Sequence, residues 1–157
     1  MAPGWRGGAA QVEPYVAGLR RLGFAADALE LPIGPAERAV PAFLSLAGPR
    51  VVAAGVSFGG RVATLAAAEQ AFAGVIAFSF PLRGQAERRT AHWPRIGCPA
   101  LIVNGRDDDW APGPELVRVM PRLRAGRLVQ LAGAGHDLRP MLEQALSAAA
   151  AFLAELS

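Results

Sequence analysis

Apolar positions along this 157-residue chain recur at helical spacing in some stretches and run unbroken for a few residues in others, and the two kinds of stretch alternate. Residues 11–22 carry an apolar face at helical period and stop at Gly23, and residues 24–31 read as a strand. A helix over 36–46, strained by Pro41, ends at Gly48-Pro49. A strand over 50–56 opens into an alanine-rich helix at 58–72, followed by a strand at 74–80. An apolar strand over 99–104 precedes a helix at 114–123 interrupted by Pro121; a strand at 127–131 and a long helix at 140–156 close the chain. Strands separated by helices imply a three-layer, doubly wound, mostly parallel sheet. Such sheets bind ligands beyond the carboxyl ends of their strands.

Composition narrows this picture. At 157 residues and 52 % apolar content the chain is long enough for a single domain, 1–157, with a proper core, and no linker divides it. Its apolar runs stay short of the 18 or so residues that cross a bilayer, so no membrane partner is expected and a cytoplasmic location is the default. All 16 basic residues are arginine, yet the net charge is only +3 and the arginines are scattered without interleaved aromatics. That argues against a nucleic-acid surface. Cys98 is the one cysteine, between Gly97 and Pro99, and reads as packing; no intrachain disulfide can form. His92 and His136 are far apart in sequence with no second ligand pair beside either, so neither a metal nor any other cofactor is expected.

The candidate chemistry sits at strand ends. Gly55-Val56-Ser57-Phe58-Gly59 joins an apolar run to a helical pattern, the setting of a nucleophile elbow. There Ser57 occupies a strained strand-to-helix turn, and a Cβ at either glycine would collide with a neighbouring element. With 18 glycines in the chain the pentapeptide alone is a weak signal, so its partners decide. A serine hydroxyl needs a base, and the base needs an acceptor on its other nitrogen. The strand over 99–104 ends in Gly105-Arg106-Asp107-Asp108-Asp109-Trp110, and the strand over 127–131 opens into Ala132-Gly133-Ala134-Gly135-His136. Acid and base thus follow the serine in the order the elbow requires.

On these residues the chain resembles the α/β-hydrolase superfamily. The family's Gly-x-x-Asp, with proline four residues beyond, selects Asp108 by way of Gly105 and Pro112, while Asp107 and Asp109 fit neither spacing. Gly133-Ala134-Gly135-His136 looks like the family's histidine loop. Phe58-Gly59-Gly60-Arg61 and Phe80-Pro81-Leu82 look closest to the small, capless, dienelactone-hydrolase-related members. The resemblance implies a Ser57, His136 and Asp108 relay, with the backbone N–H of Phe58 as one oxyanion donor. The first eight residues look like the family's His-Gly-x-Gly-Gly loop, with Pro3 in the histidine's place, which makes the N–H of Trp5 the second donor. The resemblance also implies a reduced α/β-hydrolase fold lacking the N-terminal strands. The core strand that usually feeds this loop is absent upstream of Met1. In the family's sheet its place is between the strand at 24–31 and the strand at 50–56.

The stretch from Phe80 to Cys98 has room for only a turn or two of helix, so no cap domain covers the site. Trp5, Phe58, Phe80, Trp110 and Leu138 are expected to line it. His92 and Trp93 are expected on a surface loop anchored by the tryptophan. The activity implied is hydrolysis of a small ester or thioester through an acyl-enzyme, with homo-oligomerisation left open. Two alternatives are a non-catalytic α/β-hydrolase-like interaction protein and a lactone or dienelactone hydrolase.

Overall fold

The computed structural model describes residues 1–156. Four parallel strands form its sheet: β1 (Val52–Val56), β2 (Gly74–Phe78), β3 (Ala100–Gly105) and β4 (Gly126–Leu131), side by side in that order. Every residue of β2 and β3 is buried, as expected for central parallel strands covered on both faces, and this is why their sequences are near-continuous apolar runs, broken only by Asn104.

Helices cover both faces. α1 (Ala9–Arg21) buries Val12, Tyr15, Val16 and Leu19, one stripe at i, i+3, i+4 and i+7. With α6 (Leu142–Glu155) it closes a core containing Ile76, Phe78, Leu101 and Val103. The opposite face is covered by α2 (Ala36–Leu44), α3 (Phe58–Ala67) and α5 (Gly113–Val119), over a core containing Ala53, Val75, Ala77 and Ile102. The only helix-like pieces between β2 and β3 are α4 (Ala86–Arg89) and a 3-10 turn at Trp93–Arg95. Three layers around a parallel sheet match the expected architecture. Among the described residues no helix is long and apolar enough to cross a membrane.

Several boundaries differ from the sequence pattern. Pro121 ends α5 in a 3-10 turn, Met120–Arg122, and Pro140 sits in another, Arg139–Met141, so α6 starts only at Leu142. Residues 24–31 form no strand, against expectation. The reason is at Met1 and Ala2. Ala2 donates to Ala54 O (2.8 Å) and accepts from Val56 N (3.0 Å), a single parallel rung beside β1. On its other side Met1 O accepts from Leu29 N (2.7 Å), and the Met1 amine donates to Asp27 O (2.6 Å). The first two residues therefore occupy the position between β1 and the 24–31 segment. They are too few to give that segment a ladder. Behind them lies an apolar cavity of about 640 Å³, lined by Met1, Phe24, Phe43, Ala54, Ile76 and Leu153 among others, which touches both cores.

His92 is also placed differently from expectation. It is buried, not on a surface loop, and its Nε2 lies 2.8 Å from Thr64 Oγ1 on α3. Burial first, then the Arg61 and Arg95 charges, push its pKa down to about 4, so it is a neutral packing residue at pH 7. Trp93 beside it is wholly buried.

Candidate active site

At the carboxyl end of β1 the chain turns sharply into α3, with Ser57 at φ 50°, ψ −111°, a backbone conformation rare for any residue with a Cβ. Its N–H is tied to Phe78 O at 2.7 Å. The turn depends on the flanking glycines. A Cβ on Gly55 would lie 2.2 Å from the Gly59 carbonyl carbon, and one on Gly59 would lie 2.4 Å from Ala2 O and 2.5 Å from Pro3 O. The elbow and the N-terminal rung are thus packed backbone to backbone.

The loops after β3 and β4 bring the other two groups to this point. His136 Nε2 lies 2.9 Å from Ser57 Oγ, and His136 Nδ1 lies 2.9 Å from Asp108 Oδ2. With the proton on Nδ1, the imidazole donates to the carboxylate and accepts from the hydroxyl. Asp108 is 2 % exposed, whereas Asp107 and Asp109 are exposed, so the middle aspartate is the one the fold turns inward. Its burial is compensated. Oδ1 accepts from Trp110 N (2.9 Å) and Oδ2 also accepts from Asn104 Nδ2 (3.1 Å).

Three residues absent from the sequence reading support this arrangement. Asn104, fully buried at the end of β3, holds Asp108 with its amide nitrogen and accepts from Phe80 N (3.0 Å) with its oxygen. Ser79, also fully buried and at φ 54°, donates to the carbonyl of His136 at 2.7 Å. Gln11 on α1 accepts from Gly4 N at 2.6 Å, fixing the loop that carries Trp5. The usable signal was at Asn104, a polar residue closing an otherwise apolar buried strand.

Of the expected lining residues, the structure gathers some and not others. Trp110 packs its ring 4.2 Å from that of His136, and Trp5 stands edge-on to Phe58 at 5.1 Å. A cavity of about 250 Å³ opens beside this pair, bounded by Gly4, Pro32 and Ile33. Phe80 and Leu138 are closed off from solvent. Phe80 packs on Trp93 at 5.1 Å in one core, and Leu138 belongs to the other. Cys98 is half-buried, with its thiol pKa raised by burial, as suits a packing residue. Among the described residues no three His, Cys, Asp or Glu side chains gather as metal ligands would.

The match to a family model for the alpha/beta hydrolase domain covers residues 25–155. The chain belongs to the alpha/beta hydrolase family. Among solved structures it is similar to Est1E from Butyrivibrio proteoclasticus, with a TM-score of 0.83 at 17% identity, over 99% of this chain and 86% of that one. It is similar as well to a monoacylglycerol lipase from Paleococcus ferrophilus (TM-score 0.79, 15% identity, 99% and 93% covered) and to a thermophilic esterase from Thermogutta terrifontis (0.75, 18%, 99% and 88%). At these identities the likeness is one of fold. No curated protein matches the sequence.

Proposed function

We propose that this protein is a serine hydrolase that cleaves a small ester or thioester through an acyl-enzyme. The observation that carries the reading is the unbroken Ser57 Oγ, His136, Asp108 hydrogen-bonded chain at 2.9 Å and 2.9 Å. In this reading Ser57 Oγ attacks the substrate carbonyl carbon while His136 Nε2 takes the hydroxyl proton, and Asp108 holds the imidazolium that results. The tetrahedral oxyanion is met by the N–H of Phe58, the first residue of α3, and by that of Trp5. Collapse expels the alcohol or thiol with a proton from His136. Water, activated by the same imidazole, then hydrolyses the acyl-serine.

The open setting supports a small substrate. Only α4 and one 3-10 turn separate β2 from β3, and the cavity beside Trp5 and Phe58 is about 250 Å³. A fluorophosphonate probe tests the mechanism: it should label the folded protein at Ser57, and Ser57→Ala should abolish both labelling and turnover of short-chain p-nitrophenyl esters. An unlabelled, inactive but folded wild type would overturn the reading in favour of a non-catalytic interaction protein.

A further inference from the structure

The loop joining β2 to α4 is held at four points. Ser79 Oγ donates to His136 O (2.7 Å), Phe80 N to Asn104 Oδ1 (3.0 Å), Arg83 N to Trp110 O (2.6 Å), and Arg89 Nη1 to Pro81 O (3.0 Å). Ser79 and Arg83 both adopt positive φ, 54° and 51°, and Leu82 between them is fully buried. Side chains with a Cβ stay in that region only when their surroundings hold them there. The effect of this anchoring is to place one particular side chain. The Arg83 guanidinium carbon lies 4.1 Å from the centre of the Trp110 ring, whose other neighbour is the His136 ring at 4.2 Å.

Arg83 thus stands one indole away from the imidazole that touches Ser57. Seven of the 16 arginines face a carboxylate. Arg20, Arg21, Arg61, Arg118, Arg122, Arg127 and Arg139 all do, but among the described residues none is within ion-pair distance of Arg83. Asp107 and Asp109 on the facing loop are exposed and form no ion pair with it. Arg89, half-buried behind the loop, adds positive charge from the same side; burial and then Arg61, Arg83 and Arg88 lower its pKa. An arginine usually loses much side-chain freedom when it grips an anion, and stacking on indole has already removed part of that freedom here.

We infer that Arg83, carried on Trp110, is a specificity-determining residue that binds a negatively charged group of the substrate, a carboxylate on the acyl chain a few bonds from the scissile carbonyl. This deepens the hydrolase reading and rests on it for turnover, though not for binding.

Two measurements separate the two ideas. The first compares mono-p-nitrophenyl glutarate with p-nitrophenyl valerate, which has the same five-carbon acyl chain without the charge. Wild type should prefer the glutarate in kcat/KM, mainly through KM, and Arg83→Gln should reduce the glutarate-to-valerate ratio about ten- to a hundredfold. Arg88→Gln, an exposed arginine on α4 that bonds Gln85 and does not stack on Trp110, should leave the ratio within about twofold, since an exposed charge out of contact is screened. The second titrates the same two compounds into Ser57→Ala by calorimetry, with and without Arg83→Gln, and needs no catalysis. Tighter binding of the glutarate, lost with Arg83→Gln, supports the inference even if the wild type turns over neither ester, a result that would overturn only the hydrolase reading. Equal binding of the two compounds, or a ratio that Arg83→Gln leaves unchanged, overturns the inference whether or not the protein is a hydrolase.

Discussion

Asp108 is distinguished from its two aspartate neighbours by its surroundings. It is buried with three hydrogen-bond donors, while Asp107 and Asp109 are exposed. Asp108→Asn should therefore lower kcat on p-nitrophenyl acetate by about three to four orders of magnitude, through the wrong imidazole tautomer. Asp107→Asn and Asp109→Asn should stay within about threefold of wild type, since exposed substitutions seldom propagate. Equal losses across the series would assign the carboxylate wrongly. The spacing of Gly105 and Pro112 picked out the aspartate that the fold buries beside His136, and glycine spacing picked out the serine at the strained turn. Asn104 left a signal as the polar end of an apolar strand, but Ser79 and Gln11 were not legible, because which polar group a buried hydroxyl or amide meets is decided by loops distant in sequence: Ser79 bonds a carbonyl 57 positions away. Phe80 and Leu138 were misjudged for a related reason, since an apolar residue just past a strand can face either the pocket or the core.

At the level of elements, periodicity located nearly every helix and strand; prolines set the end of α5 and the start of α6, while α3 stops at Ala67, short of the expected 72. The exception is instructive. Residues 24–31 have a strand's composition, but a strand needs a row of backbone partners, and apart from the bond of Phe24 N to Leu19 O at the end of α1 only Met1 offers any. Composition along one segment cannot show how many rungs its neighbour supplies. The loop from Gly4 to Gly8 leans instead on α1, through the bond from Gly4 N to Gln11 Oε1. If this loop presents an oxyanion donor, Gln11→Leu should lower kcat about tenfold with KM little changed, less than the hundredfold or more expected for losing a direct donor. Gln11→Glu, which keeps an acceptor at the same reach, should restore most of that loss. Steady-state kinetics on p-nitrophenyl acetate reads both, and a loss confined to KM would remove the loop from the transition state.

Across the whole molecule, helices cover both faces of the sheet, and its β1 edge is thin. The Ala2 rung leaves the first part of β1 without a parallel neighbour on the side away from β2, next to a cavity of about 640 Å³ lined from both cores. The register of that rung dictates what fits: an extended backbone leading into Met1, with apolar side chains alternating between the two faces. A designed four-residue extension of that pattern fused ahead of Met1 should raise the thermal midpoint by about 3–6 °C, equivalent to 1–2 kcal/mol for a chain of this size. The same extension with proline at the pairing positions should not, because proline donates no ladder hydrogen bond. Differential scanning calorimetry of the two fusions decides it, and matching midpoints would mean that the slot accepts no strand.

Strand order carries one more implication. Each strand lies beside the one made just before it, so a polypeptide leaving the ribosome can lay down this sheet in the order of its synthesis. Ser57 follows the first strand laid and His136 follows the last, so a product cut short anywhere between the two has the hydroxyl but no base to activate it. Prematurely terminated chains should accordingly be inert toward esters.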